Sequence, residues 1–240
     1  MTPVASVQLL GASFFSTHHA SAHDAVADRQ RDVTAPAFKL LVARARRFTS
    51  LATQLHLEVC GALPIDAAEP PITVFATCHG EIQTAETLIA DFHTNAMVSS
   101  ARFALSVHNT PSGLYSVATG SHAPSTTVTG ANAIAMGWLE AALTALDAGR
   151  TVLLSIADEP VPAVFQGPTD PVGVAAAFLL APASAAGRRA QLVTTPSTDD
   201  LDLPPLQVLA RAVDAWTREE PATIALGALR PGARLDLRLS

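Results

Sequence analysis

The stretch that decides the fold is residues 106–159, which reads SVHNTPSGLYSVATGSHAPSTTVTGANAIAMGWLEAALTALDAGRTVLLSIADE. It contains a β-branched run at 126–129 that ends at a glycine and predicts a strand followed by a turn. The next segment, 133–148, is apolar on almost every side and predicts a buried helix that a glycine ends. The continuous apolar run at 151–157 is typical of a strand covered on both faces. The order strand, buried helix, strand predicts an α/β layered fold.

The flanking sequence contains further predicted elements of both kinds. It predicts strands or extended segments at 4–14, 71–78, 102–107, 172–180, 190–194, 223–226 and 235–239. It predicts helices at 84–92, at 206–216, and over one segment that Thr34 and Pro36 open and Gly61 ends. Residues 18–34 are polar and predict a surface loop. Residues 195–205 predict a loop inside one domain that spans 1–240.

Composition excludes several classes of protein. The chain has 240 residues, of which 49% are hydrophobic and 15% are charged, so disorder of the bulk is excluded. The net charge is −6 and Lys39 is the only lysine, which argues against a nucleic-acid partner. The longest apolar run, 172–183, is too short to cross a membrane. Two cysteines without zinc-ligand spacing predict no metal and a reducing, cytoplasmic location.

The central stretch resembles the N-terminal half of the β-ketoacyl synthases, which are condensing enzymes of the thiolase fold. Asn109 matches a family asparagine, and Pro124-Ser125 followed by β-branched residues matches the family's Gly-Pro-Ser strand. Upstream, TCHGEIQT at 77–84 resembles the family's strand-to-helix turn. The resemblance covers about 70–160. It implies a thiolase-like layered α/β fold truncated in its C-terminal half, with a thiolase-like N-terminal half at 1–160 and a reduced part at 161–240.

The family's catalytic groups are missing from this sequence. In a ketosynthase, the strand after Pro-Ser delivers a cysteine to the N-terminus of the buried helix, where the helix dipole lowers the pKa of the thiol. Counting without gaps from Pro124 puts Asn132 at that position, and an amide cannot form an acyl-enzyme. The family also needs two histidines from its C-terminal half, whereas all eight histidines here lie at or before His122. The resemblance therefore implies no catalytic residue, and Asn132 is expected to cap the helix.

A ketosynthase-like subunit without catalytic groups resembles a chain-length factor, and the shortened form is most similar to those of aryl polyene clusters. That resemblance implies a heterodimer with a full-length ketosynthase, which condenses chains carried on the phosphopantetheine of acyl carrier protein. This chain would hold no cofactor of its own. Its strand at 124–129 would be the edge that pairs with the partner, and 102–106 would reach the partner's acyl tunnel. The implied tunnel or interface residues are Arg102, Phe103, Asn109, Pro124, Ser125, Thr127, Asn132 and Met136.

Two other classes of function stay open from the residues alone. An independent thioesterase or acyltransferase would use Cys78 or a serine as its nucleophile. Adjacent residues of a strand point to opposite faces, which argues against a pair between Cys78 and His79. Ser112 and Ser116 do not complete a G-x-S-x-G elbow. A homodimeric lipid-binding module is the third reading, and it differs by needing no partner.

Three clusters of charged or metal-binding residues have simpler explanations. His18, His19 and His23 carry no further ligand pattern that would indicate a metal. The arginines Arg44, Arg46 and Arg47 fit a solvated helix face better than a carrier-protein contact. Asp158 and Glu159 fit the end of a strand better than a catalytic pair of carboxylates.

Overall fold

The computed structural model describes residues 2–29, 31–33, 35–165, 172–197 and 204–240. The strands are β1 (Thr2–Ser16), β2 (Ile72–Thr77), β3 (Ser125–Thr129), β4 (Val152–Asp158), β5 (Val174–Ala181), β6 (Arg188–Pro196), β7 (Ala222–Arg230) and β8 (Ala233–Leu239). The helices are α1 (Ala22–Val26), α2 (Ala43–Arg46), α3 (Leu51–Gly61), α4 (Ile82–Asn95), α5 (Ser100–Phe103), α6 (Thr110–Thr119), α7 (Ala133–Ala148) and α8 (Pro205–Thr217). A 3-10 turn lies at Ala163–Phe165.

The described strands form one mixed sheet in the order β3-β2-β4-β5-β1-β6-β8-β7. β2 pairs in parallel with β3 and with β4, and every other neighbouring pair is antiparallel. β5 lies between β4 and β1, so a strand from the second part of the chain completes the centre of the sheet. Strands from 1–160 and from 161–240 thus share one hydrogen-bonded sheet.

Helices cover both faces of the sheet. The larger core joins one face to α1, α7 and α8, with the tilted rings of Trp138 and Phe178 packed at 4.6 Å between centroids. The second core joins the other face to α3 and α6 around Phe75 and Leu153. This arrangement of helix, sheet and helix gives β4 and β5 side chains that are buried on both faces, as continuous apolar runs predict.

The two edges of the sheet differ. β7 carries two register irregularities, between Ala225 and Gly227 and between Ala228 and Arg230, and bulges of this kind protect an edge from pairing. β3 reads STTVT, has no charged residue, and pairs with β2 without a register shift. The β3 edge is therefore the one open to further strand pairing.

Several predicted elements are confirmed. The helix predicted at 133–148 has those bounds in the structure, and the strands at 71–78, 126–129 and 151–157 differ from β2, β3 and β4 by a residue or two. The strand at the start of the chain, the C-terminal strands and the helix through 206–216 are also present. Local sequence is sufficient for these elements because apolar periodicity, β-branched runs and terminal glycines are local signals.

Other predictions are wrong. The single long helix up to Gly61 is two helices, because Ser50 accepts the Thr53 amide and begins α3 anew. The segment 102–107 is not extended; Ser99 accepts the Arg102 amide and caps α5. The polar loop at 18–34 contains α1, with Ser21 as its cap. Thr34 and residues 198–203 of the predicted loop at 195–205 lie outside the described residues.

The predicted burial of α7 is only partly right. Its N-terminal half and its sheet face are buried, but Leu143 and Leu146 are exposed on the opposite face. Gly137 allows the close approach to the sheet, since a Cβ there would lie 2.7 Å from the Cβ of Ala76. In the described part of the chain, no helix has both the length and the apolar content needed to cross a bilayer.

Candidate functional site

The carboxyl ends of β3, β2 and β4 lie together at one edge of the sheet, and among the predicted site residues Asn132 follows this edge directly. Because the three strands are parallel, the turn before α7, the turn before α4 and the acidic pair after β4 all leave from this edge. The Gly130 amide donates to the Thr77 carbonyl at 3.3 Å and joins the first two turns. Ligand sites of open α/β sheets commonly lie at such an edge.

Asn132 lies at the N-terminus of α7 with an exposed side chain. Asn132 occupies the N-cap position of α7, as predicted, but its side chain does not make the capping hydrogen bond expected of it. Its backbone, with φ −101° and ψ 18°, is not in the extended conformation that capping residues adopt. The Gly130 carbonyl accepts the Ala133 amide at 2.8 Å instead. Met136, one turn further on, is half-buried against the larger core.

Strand β3 presents three of the predicted residues. Pro124 is exposed, and its carbonyl accepts the Thr73 amide at 3.0 Å. Ser125 is exposed and Thr127 is half-buried, and each lies opposite a residue of β2. These residues therefore sit on the open edge, with β2 on one side and no other strand of the described sheet on the opposite side.

Residues 82–107, which we call the arm, leave the edge as α4, a short connection and α5. Arg102 donates to the Asp91 carboxylate at 3.0 Å and ties α5 to α4, while Phe103 is 60% exposed. Asn109 follows the arm and precedes α6; its carbonyl accepts the Gly113 amide, and its side chain does not cap the helix. Arg102 and Phe103 thus belong to α5 and Asn109 to the start of α6, and not to β3.

Three buried carboxylates underlie this edge, and the sequence analysis missed their connections. Glu159 accepts the Gln83 amide at 2.9 Å with one oxygen and the Ala52 amide at 3.1 Å with the other. Those amides belong to the first turns of α4 and α3, so one carboxylate caps two helices. Glu81 accepts the Thr53 hydroxyl at 2.6 Å.

Asp158 holds the turn after β2. One of its oxygens accepts the Thr77 hydroxyl and the Cys78 amide, both at 2.8 Å, and the His79 amide at 3.1 Å. The signal available in the sequence was two adjacent acids at the end of a buried strand. Interpreting Asp158 and Glu159 only as the end of a strand missed their hydrogen bonds to three other segments, which are the starts of α3 and α4 and the turn after β2.

Burial raises the pKa of all three carboxyl groups. The pKa of Glu159 rises to about 7, because burial disfavours its charge and the nearby Glu81 and Asp158 add repulsion. Burial also raises the pKa of Asp158, although the hydrogen bonds from Thr77 and the His79 amide lower it in part. Burial raises the pKa of Glu81 in the same way, and the hydrogen bonds from Ser50 and Thr53 lower it in part. Their contacts with backbone amides and hydroxyls make the cluster a support for the turns.

The structure gives the candidate nucleophiles unfavourable surroundings. Cys78 is half-buried, and its backbone amide donates to the Asp158 carboxylate at 2.8 Å. The neighbouring His79 is exposed. The Ser112 hydroxyl donates to the Asn109 carbonyl at 2.8 Å, and the Ser116 hydroxyl donates to the Ser121 carbonyl at 2.5 Å. Both serine hydroxyls thus donate to backbone carbonyls and not to a side chain that could act as the general base of nucleophilic catalysis.

One histidine–serine pair, which the sequence did not reveal, lies in the second core. His56 Nδ1 is 2.9 Å from Ser155 Oγ, and both residues are buried. Burial lowers the pKa of His56 to about 3 and raises that of the adjacent Cys60 thiol to about 12. The Phe75 ring packs edge-on against His56 at 5.3 Å. These groups are neutral at physiological pH and serve the packing between α3 and the sheet.

The three histidines near the N-terminus contact different residues. His18 contacts Thr17, His19 contacts Ser16, and His23 contacts Asp214. Across the ranges that the structure describes, no three His, Cys, Asp or Glu side chains are grouped as a metal would need. Of the predicted solvated arginines, Arg44 and Arg47 are exposed, while Arg46 stacks on the Phe38 ring at 4.5 Å.

The comparison with protein families identifies the chain. The model described as "Beta-ketoacyl synthase, N-terminal domain" matches residues 18–222, and the chain therefore belongs to this family. No curated protein is similar enough to the chain to match it.

Solved structures share the fold. One is described as the ketosynthase ApeO in complex with its chain length factor ApeC from Xenorhabdus doucetiae; the match has a TM-score of 0.75 and 19% identity, and covers 98% of this chain and 100% of that one. Another is described as the ishigamide ketosynthase/chain length factor, with a TM-score of 0.70, 14% identity, and coverage of 98% and 99%. The expected thiolase-like α/β fold is thereby confirmed.

Proposed function

We propose that this chain is a non-catalytic, chain-length-factor-like subunit of a ketosynthase heterodimer. The observation that carries the proposal is the junction of β3 and α7, which puts Asn132 at the helix N-terminus where the family's nucleophile is expected. Its amide side chain has no thiolate to take up an acyl group. The active partner would perform the condensation, and this chain would complete the dimer and shape the acyl tunnel.

The open edge of the sheet supports a partner. An unpaired edge strand with no charge and no bulge is a template for strand pairing, and proteins rarely leave such an edge unprotected. β3 is such a strand, whereas β7 at the other edge is bulged. A continuous sheet through β3 of this chain and a strand of a ketosynthase would satisfy the outward backbone groups.

The similar structures support the same assembly. Both are described as ketosynthase and chain length factor together, and the match covers 98% of this chain and at least 99% of theirs. By the same reasoning, we place the heterodimer in aryl polyene or related polyketide synthesis, which resembles fatty acid synthesis. Its substrates would be chains on the phosphopantetheine of acyl carrier protein in the cytoplasm.

The alternative is an independent thioesterase or acyltransferase that uses Cys78 or a serine. The position of Cys78 argues against it, because the residue is half-buried in a turn held by the Asp158 carboxyl group and not in the electropositive surroundings that activate a thiol.

The experiment compares the chain alone with the chain co-expressed with the nearest full-length ketosynthase. We expect aggregation of the chain alone and a one-to-one complex on co-expression, measured as solution mass. Within that complex, Asn132→Ala and Cys78→Ala should keep condensation of acyl-carrier-protein substrates, whereas replacing the partner's cysteine should abolish it. A stable monomer or homodimer that ignores the ketosynthase, or activity lost with Cys78→Ala alone, would refute the proposal.

A further inference from the structure

A cavity of about 270 Å³ lies between the C-terminal turns of α3 and α6 and the connection from α3 to β2. It borders the second core at the amino ends of β2 and β3. Asn132 follows the carboxyl end of β3, so the cavity lies at the opposite end of these strands from the candidate site. The side chains that form most of its lining are Leu40, Cys60, Leu63, Ile65, Tyr115 and Ser121.

Hydrogen bonds hold both walls of the cavity in place without a ligand. On the α6 side, the Ser116 hydroxyl donates to the Ser121 carbonyl, and the Ser121 amide donates to the Thr119 hydroxyl at 3.3 Å. On the other side, the Ile65 amide donates to the Leu63 carbonyl at 3.0 Å. The cavity is therefore preformed, as binding sites for small molecules usually are.

The Tyr115 hydroxyl is a buried donor that lacks a hydrogen bond. Tyr115 is 3% exposed, and its ring packs edge-on against Phe75 at 5.9 Å between centroids. No group within the described ranges bonds to this hydroxyl, whereas a buried tyrosine usually has a partner. Burial and the adjacent Cys60 raise its pKa, so the hydroxyl keeps its proton at physiological pH. Because Tyr115 lines the cavity, an acceptor inside it would complete the missing bond.

The rest of the lining selects the class of ligand. Asp66 is the only charged residue among the described lining residues, and its carboxylate already accepts the Ala68 amide at 2.8 Å. A carboxylate or phosphate ligand would find no cation there, and an unpaired buried charge is costly. Since an apolar cavity of ~150 Å³ in another protein binds benzene, a cavity of about 270 Å³ has room for a molecule of one or two rings.

We propose that this cavity binds a neutral, mainly apolar small molecule that accepts a hydrogen bond from Tyr115. Binding would remove the apolar surface of the ligand from water and pair a buried donor. The site is separate from the β3 edge and from the start of α7, so the inference does not depend on the proposed function. Because the ligand would contact α3, α6 and the connection to β2, its binding should also raise the melting temperature of the chain.

The test measures the affinity of the full chain for compounds that share one benzene ring. The probes are acetophenone, ethylbenzene, benzoate and benzylamine, titrated by calorimetry into the soluble chain or its complex, with the ketosynthase alone as the blank. Acetophenone should bind most tightly, because it is neutral and carries an acceptor. Tyr115→Phe removes only the hydroxyl and should weaken acetophenone binding about ten-fold. The same substitution should leave the affinity for ethylbenzene unchanged.

Ala67→Phe and Ala68→Phe form a matched pair that locates the site. Both alanines are exposed neighbours in the connection from α3 to β2, but only Ala67 lines the cavity. Ala67→Phe should fill the cavity and abolish acetophenone binding, whereas Ala68→Phe should bind like the wild type. Melting temperatures of the variants without ligand show whether each keeps the fold.

The other outcomes each overturn a part of the proposal. If acetophenone does not bind, or binds the wild type and Tyr115→Phe equally well, the hydroxyl is not a ligand donor. If benzoate or benzylamine binds more tightly than acetophenone, the neutral class is wrong. Loss of binding in both phenylalanine variants of the connection, or in neither, would put the probe outside this cavity.

Discussion

Glu159 shows how much of the site depends on single buried groups. Its carboxylate accepts amides from α3 and α4 in a space that it shares with Glu81 and Asp158. Between about pH 4.5 and about pH 7 the folded protein holds the Glu159 proton and the unfolded chain does not. The free energy of unfolding must therefore fall as the pH rises through this window, and the contribution is present in full below about pH 4.5.

We expect Glu159→Gln to flatten this dependence. The shift corresponds to roughly 3 kcal/mol between about pH 4.5 and pH 7. Because glutamine does not titrate, the free energy of unfolding of the variant should fall less steeply as the pH rises. The remaining pH dependence comes from Asp158 and Glu81. Urea unfolding at about pH 5, 6, 7 and 8 measures the slope. The exposed Glu69→Gln is the control, and equal slopes in the wild type and in Glu159→Gln would contradict the assignment.

At the scale of elements, α7 depends on one close contact with the sheet. Gly137 leaves no room for a side chain, since its Cβ would lie 2.7 Å from Ala76 and 3.3 Å from Leu154. Helix and strands must separate to admit even a methyl group, and overpacking of this kind costs about 1–3 kcal/mol.

Gly137→Ala should accordingly lower the free energy of unfolding, despite the better helix propensity of alanine. Gly113→Ala is the matched change in α6, where no atom lies within 4 Å of the added Cβ, and it should stabilise by about 0.5–1 kcal/mol. If the packing argument holds, denaturant unfolding should show a lower free energy of unfolding for Gly137→Ala and a higher one for Gly113→Ala. Stabilisation by both substitutions would show that α7 can shift without cost.

The elements also show what a sequence can predict. α7 could be bounded to the residue because its apolar face and its terminal glycine are local signals. The acidic cluster could not be predicted from the sequence, because Glu159 binds the amides of Ala52 and Gln83, and only the folded sheet brings these residues together. The conformation of 102–107 was wrong for a related reason: the Ser99 cap outweighs a weak β pattern. Asn132 was placed at the start of α7 from spacing alone, but its backbone conformation prevents the predicted cap.

At the scale of the molecule, the proposed pairing through β3 depends on which backbone groups face outward. The bonds from Thr73 to the Pro124 carbonyl and from Gly130 to the Thr77 carbonyl turn the even-numbered residues of β3 towards β2. Because backbone groups alternate along a strand, the amides of Ser125, Thr127 and Thr129 point to the open edge.

Thr127→Pro should therefore remove an outward amide and abolish the complex with the ketosynthase, while the chain keeps its fold. Thr127→Ala keeps the amide and should bind like the wild type. Thr126→Pro removes an inward amide and should destabilise the chain itself. Co-purification and melting temperatures separate the three results. Wild-type binding by Thr127→Pro would rule out strand pairing at this position.

The place of β5 has a consequence for synthesis of the chain. β1 and β4 have no contact as neighbours in the sheet; β5, which is made after both, lies between them. While the ribosome has released only the first 160 or so residues, the sheet consists of β3, β2 and β4 on one side and a solitary β1 on the other. Release of residues 174–181 closes this gap and lets β6 add to the far side of β1. Because β1 pairs only with β5 and β6 among the described strands, it can join the sheet only after residues 174–181 are made.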